Sequence, residues 1–221
     1  MKIINFFDLS VKQQAVYAEK ISVITKREEK MLSLESREIF DRRFVALMLS
    51  DNGDIISMIA VFEPEANKDG FWLGEVGMMY TDERFRGRGI GHEMYAYAER
   101  WALDQEDYDG FVVFLCEASI GIFSEANFMA ENAEKVLPAS FFEICLDHCF
   151  LNPEAEKQAS AADELVGIRA GRLKARREYQ ALFNEYKRLG KKGEKPLEIL
   201  RANAHRAGLC CPLPAYKIFR F

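Results

Sequence analysis

Residues 71–101, FWLGEVGMMYTDERFRGRGIGHEMYAYAERW, constrain the fold more than any other stretch, because they read without interruption as a strand, a glycine-rich turn and a helix. Phe71 to Thr81 is apolar and rich in strand formers. Ile90, Met94, Tyr97 and Trp101 recur at helical spacing, which predicts a helix from about Gly89 to Gln105 with those four side chains on its core face. Between the two stands Arg86-Gly87-Arg88-Gly89-Ile90-Gly91. Glycines admit backbone angles that other residues resist, so several N–H groups can converge there on one anion. The helix start adds its unpaired first-turn N–H groups and the positive end of its dipole, and Arg86 and Arg88 add mobile cations. The segment reads as a phosphate cradle. Its spacing excludes two common kinds: there is no GxxxxGK[ST] run, and in a GxGxxG frame the last position falls on His92 or Met94.

The chain before this segment reads as strand, helix and hairpin. Lys2 to Phe7 is a short strand, and Ser10 to about Lys26 a helix with Ser10 as N-cap. A shorter helix is expected around Leu34 to Phe40. Phe44–Leu49 and Ile55–Phe62 are apolar runs separated by Ser50-Asp51-Asn52-Gly53, whose Asn-Gly pair signals antiparallel neighbours. Beyond the helix, Gly110 to Leu115 reads as a buried strand, placed where a strand–helix–parallel strand crossover belongs.

The turn and its setting resemble the core motif of the GNAT superfamily of N-acetyltransferases, [RQ]-x-x-G-x-[GA], matched by Arg86, Gly89 and Gly91 between an apolar strand and an amphipathic helix. The resemblance covers residues 43–130. It implies a mixed α/β (α+β) fold with a mostly antiparallel central sheet, splayed where acetyl-CoA enters. It also implies that Arg86, Gly87, Arg88, Gly89, Ile90 and Gly91 hold the pyrophosphate of acetyl-CoA, and that Met79, Tyr80 and Thr81 line the bound donor. Glu75, eleven residues before Arg86, matches the catalytic glutamate of the histone-acetylating branch. A partly buried carboxylate is a good base near neutrality. A backbone N–H of Met79 or Tyr80 is the expected oxyanion donor.

The second donor-contacting motif is matched only in part by residues 117–128. Asn127 stands where the family usually has glycine, and Asn also enters the left-handed region. Phe123 falls where the family often has the tyrosine that protonates the departing thiolate, which leaves Tyr80, Ser119 and Ser124 as candidates for that proton. His92 is expected to face solvent. Cys145, His148, Cys149, Cys210 and Cys211 are irregularly spaced for a zinc site, so no metal is expected; these cysteines and Cys116 read as thiols.

After Ala130 the resemblance fades. We expect a core at residues 1–131, a mostly helical C-terminal insertion at 132–212 and a terminal strand at 213–221 that returns to the core sheet. Within the insertion, Leu165, Ile168, Ala175, Tyr179, Leu182, Tyr186 and Leu189 form a narrow apolar face, suited to packing on the core or to a homodimer. Charge is divided along the chain: residues 161–221 carry 14 basic and 6 acidic residues, against 16 and 29 in residues 1–160. An acidic catalytic half suits an amine-bearing acceptor, small molecule or protein. The aromatic residues of the basic tail read as helix packing rather than base stacking, so nucleic acid is not the expected partner. With five cysteines, no signal peptide and no apolar run long enough for a membrane span, the expected location is the cytoplasm. Three readings remain open: an acetyl-CoA-dependent N-acetyltransferase, an acyl-CoA-binding scaffold or sensor without turnover, and a nucleic-acid-associated protein.

Overall fold

Alternating runs of apolar residues and a capped helix start set the first half of the chain. The computed structural model describes residues 1–28, 31, 33–115, 119–129, 136–137 and 213–219. Its elements are β1 (Lys2–Asn5), α1 (Val11–Arg27), β2 (Phe44–Leu49), β3 (Ile55–Val61), β4 (Glu65–Ala66), β5 (Trp72–Thr81), α2 (Ile90–Leu103), β6 (Gly110–Leu115), α3 (Ile120–Glu125) and β7 (Leu213–Ile218). This is a mixed α/β fold with mostly antiparallel strands. The expected short helix near residue 36 is a 3-10 turn at Ser36–Asp41.

The chain divides into two compact units. One holds Met1–Glu65, Phe71–Phe111 and Ile218–Phe221; the other holds Ala66–Gly70 and Val112–Lys217. In the first unit β1, β2, β3 and β5 form an antiparallel run, with Phe44 opposite Val61 and Val61 opposite Val76. The hairpin between β2 and β3 closes through the Gly53 N–H donating to the Ser50 carbonyl at 3.0 Å, with Gly53 at φ 77°. That arrangement is a turn followed by a left-handed residue rather than a two-residue Asn-Gly turn. Ser10 caps α1 as expected: its hydroxyl accepts from the Gln13 N–H, and the Gln13 side chain accepts from the Ser10 N–H.

Val45, Leu47, Met58, Ala60 and Tyr80 of these strands form a single buried cluster with Ala18 and Ile21 of α1 and with Phe6 and Ile39 of the short turns beside it. Two buried polar residues of α1 stitch the next segment onto it, since the Ser22 hydroxyl donates to the Leu34 carbonyl at 2.7 Å and the Leu34 N–H donates to Thr25 Oγ1 at 3.1 Å. Helix α2 buries Ile90, Met94, Tyr95, Ala98 and Ala102. The expected stripe is therefore half corrected. Tyr97 and Trp101 are only half-buried and lie at the flank, where the Trp101 ring stacks on Phe44 at 4.4 Å, while the two alanines take the central line and let the helix approach closely.

In the second unit α3 ends at Glu125, and Asn127, two residues on, adopts φ 65°, the left-handed conformation anticipated for it. β7 spans Leu213–Ile218 and bridges Met129 through paired bonds of 2.8 and 2.9 Å between Met129 and Tyr216. The helices and apolar stripe expected in the insertion, its role in a homodimer, Cys116 and the Cys145/His148/Cys149/Cys210/Cys211 group all lie outside the described residues.

Candidate functional site

The Gly-rich turn is built by the residues just before it. Asp82 caps the 3-10 turn Glu83–Phe85 by accepting from the Arg84 N–H at 3.0 Å, and it takes the Arg84 guanidinium at 3.0 and 2.8 Å. Those Arg84 bonds hold the Asp82 carboxyl down to about 2. The backbone then turns through Gly87 at φ 75° and Gly89 at φ 78°. A side chain at either glycine would be strained by that angle but would touch nothing within 4 Å, so the space over the turn is open. Gly89 is also the N-cap of α2, and no side chain caps that helix. Its first turn therefore begins at the open side of the loop, as anion binding requires.

The three arginines of the turn are not equivalent. Arg84 is committed to Asp82. Arg86 donates from Nε to the Thr81 carbonyl at 2.9 Å and lies 3.7 Å from both Glu28 and Glu83, so it ties the turn to the end of β5 and to the end of α1 rather than standing as a mobile cation. Arg88 lies 5.4 Å from the centre of the Phe85 ring, exposed, with no ion pair among the described residues.

β5 reaches this turn through an irregularity. Gly77 lies opposite Ala60 and Tyr80 opposite Met58, so Met78 and Met79 together oppose Ile59, and Met78 sits at φ 52°. A left-handed methionine costs on the order of 1–2 kcal/mol, and a bulge leaves a residue out of the ladder and bends the strand. Beyond it the Tyr80 carbonyl is tied by the Ser57 hydroxyl. The backbone of Met78 and Met79 thus leaves the regular ladder, while Tyr80 rejoins it opposite Met58. Thr81 follows, its carbonyl held by Arg86. Met79 and Thr81 are half-buried and Tyr80 is buried.

Glu75 lies on the same strand, two residues before Gly77. Its Oε1 and the Phe62 ring both crowd the Gly77 Cα: a Cβ there would stand 3.4 Å from Oε1 and 3.0 Å from Phe62 Cε2. Burial pushes the Glu75 carboxyl up to about 7, with Arg42 pulling it down and Glu65 adding to the rise. At pH 7 such a group divides itself between acceptor and donor of a proton. Arg42 was not anticipated. Its guanidinium lies 4.1 Å over the Phe62 ring, and its pKa is lowered by burial against the pull of Glu75, Asp41 and Glu38.

The candidates for a proton donor lie in different settings. The Tyr80 hydroxyl accepts from Arg27 Nη2 at 3.3 Å, and burial raises its pKa, so it stays protonated. In the second unit the Ser124 hydroxyl donates to the Gly121 carbonyl at 2.9 Å. Phe123 is 2% exposed and packs edge-on against Phe128 at 5.0 Å. Ser119 precedes α3 as its N-cap, and His92 is exposed on the first turn of α2. No helix among the described residues is long and apolar enough to cross a membrane.

The profile of the acetyltransferase (GNAT) family matches residues 15–128. No curated protein matches the sequence. Solved structures that resemble the chain include a GNAT acetyltransferase of Staphylococcus aureus Mu50, at 16% identity and a TM-score of 0.44, covering 57% of this chain and 83% of that one. The GNAT N-acetyltransferase YhbS of Escherichia coli, in complex with CoA, matches at 17% identity and a TM-score of 0.42, covering 52% of this chain and 64% of its own. Arabidopsis thaliana NAA60, in complex with a bisubstrate analogue, matches at 11% identity and a TM-score of 0.46, covering 57% and 83%.

Proposed function

Because the chain belongs to the GNAT acetyltransferase family, whose members take an acetyl group from acetyl-CoA, we propose that it moves that group to a primary amine of a small molecule or a protein, in the cytoplasm. The observation that carries this reading is Glu75, a carboxyl lifted by burial to about 7 on the strand that runs through the bulge into the anion cradle.

Acetyl transfer forms a bond from the amine nitrogen to the carbonyl carbon, breaks the carbon–sulfur bond and releases a thiolate. A protonated amine has no lone pair, so the proton must leave first. Glu75 accepts it. The negative charge that gathers on the carbonyl oxygen is met by the N–H of Met79 or Tyr80, because backbone donors fixed before reaction need no reorganisation. Gly87, Gly89 and the first turn of α2 hold the pyrophosphate, and Arg88 adds the uncommitted cation. Arg86 holds the turn in shape. The thiolate is a fair leaving group, and solvent can protonate it; Tyr80, kept in its phenol form, is the proposed donor that lies on β5.

A second reading, an acyl-CoA-binding scaffold or sensor without turnover, is favoured by the buried Phe123, which has no proton to give. The two separate in one experiment. Acetyl-CoA is expected to raise the thermal midpoint of the protein, and thiol release is then followed with polyamines, amino acids and basic peptides as acceptors. Stabilisation with release supports transfer; stabilisation without release from any acceptor supports the scaffold; no stabilisation refutes both.

A further inference from the structure

We propose that Arg42 binds a carboxylate on the acceptor, so that the amine this protein acetylates belongs to an amino acid bearing a free carboxyl group; the inference rests on the acetyl-transfer reading above. Arg42 follows the 3-10 turn Ser36–Asp41 and its N–H donates to the Ile39 carbonyl at 3.3 Å, which fixes the start of its side chain. Arg43 beside it serves structure: its guanidinium lies 3.3 Å from Asp107 and 3.9 Å from Glu63. Arg42 has no such partner. No carboxylate among the described residues forms an ion pair with it, and its Nε is buried without a hydrogen bond.

A buried donor left unpaired is unfavourable, more so on a charged group, which makes this guanidinium a group lacking an acceptor. The nearby carboxylates do not fill that role. Glu38 accepts the Glu35 N–H at 2.6 Å within a capping box. Asp41 is exposed. Glu75 acts on Arg42 through its field without touching it. Meanwhile the guanidinium carbon lies 4.1 Å from the centre of the Phe62 ring, which backs it on that side. A planar fork of donors matches a carboxylate.

The second half of the inference is position. The Phe62 ring that supports Arg42 also reaches the Gly77 Cα, where Glu75 Oε1 lies. The proton acceptor and the anion-binding group are thus set around one phenyl ring. An ammonium attracted to Glu75 and a carboxylate attracted to Arg42 fit a molecule carrying both a few bonds apart. A polyamine would leave Arg42 unpaired and bring a second cation to it.

The test uses the full chain with matched acceptors: phenylalanine, phenylalaninamide and phenethylamine, and lysine with cadaverine. Thiol release gives kcat/KM on the high-pH plateau of each variant's own pH profile, because removing Arg42 lifts Glu75 further, and titration calorimetry on the CoA-loaded protein measures binding of the same compounds without turnover. The carboxylate-bearing member is expected to exceed its amide and its decarboxylated partner by about tenfold or more, as for a site built to pair a polar group. In Arg42→Met that preference falls to near unity while the decarboxylated amines keep their values, and Arg42→Lys retains part of it. Equal treatment of the pairs by the unaltered protein, or an equal loss for all acceptors in Arg42→Met, overturns the proposal. So does an absence of carboxylate-dependent binding and release while acetyl-CoA still stabilises the protein, an outcome that leaves donor binding standing. Failure of acetyl-CoA itself to stabilise removes the underlying reading instead.

Discussion

Replacing Glu75 by Gln removes a titrating carboxyl and keeps its shape, and the consequences follow from one number. Burial sets the Glu75 carboxyl at about 7 instead of the ordinary 4.5. If it is the base, the ratio of kcat/KM between the unaltered protein and Glu75→Gln rises about tenfold per pH unit below 7 and levels off above it, reaching on the order of 10² to 10⁴ for a positioned base. Taking the ratio cancels the titration of the amine, which affects both proteins alike. Stability must move the other way. A carboxyl whose pKa is raised on folding stabilises the folded state below the unfolded pKa of 4.5, and that contribution is lost as pH rises through 7. The full shift corresponds to about 3 kcal/mol; solvent screening of a half-buried group reduces this to about 1–2 kcal/mol. Glu75→Gln should therefore melt about 2–8 °C higher than the unaltered protein at pH 8 and equally at pH 4. Thiol-release kinetics from pH 5.5 to 8.5 and thermal melts at both pH values measure the two effects. A ratio that is flat with pH, or a variant no more stable at pH 8, refutes the assignment of Glu75 as a buried base.

Two further substitutions probe the surroundings. Arg88→Ala should raise KM for acetyl-CoA about tenfold and leave the melting temperature of the free protein unchanged, whereas Arg86→Ala should also lower that melting temperature because it releases Thr81 and Glu28; identical behaviour in melts and kinetics would contradict the division between them. Gly77→Ala places a methyl 3.0 Å from Phe62 Cε2 and 3.4 Å from Glu75 Oε1, so acetyl-CoA should still stabilise the protein while turnover falls for every acceptor, and an unchanged turnover would show that the Phe62–Glu75 geometry does not matter to the reaction.

The elements that sequence made legible are those written in adjacent residues. Ser10 and Gln13 announce a helix start by their spacing, and Asn127 announces a left-handed turn by its short polar side chain. Arg86 to Gly91 marks the cradle because glycine has few other uses at such density. What stayed hidden depends on partners far along the chain. Tyr97 and Trp101 look like core residues by size, but the sheet-facing line of α2 needed small side chains, and Ala98 and Ala102 took it. The bulge at Met78 and Met79 is invisible in Gly-Met-Met-Tyr, since strand periodicity continues through it unchanged. Arg42 precedes a strand with no pattern around it; only Phe62 and Glu75, brought beside it by the sheet, give it meaning. Arg86 fits the motif, yet its bonds to Thr81 and its approach to Glu28 could not be read from spacing.

The antiparallel run β1, β2, β3 and β5 also has a bearing on how the protein is made. Arg42, Phe62, Glu75, the bulge at Met78 and the turn ending at Gly91 all precede the midpoint of the sequence. β2, β3 and β5 follow one another in order, so the pairings of β3 with its two neighbours close short loops at little entropic cost. Synthesis proceeds from the N-terminus, and domains order as they emerge. A nascent chain can therefore assemble the pairings that carry these residues while the basic C-terminal region is still being translated.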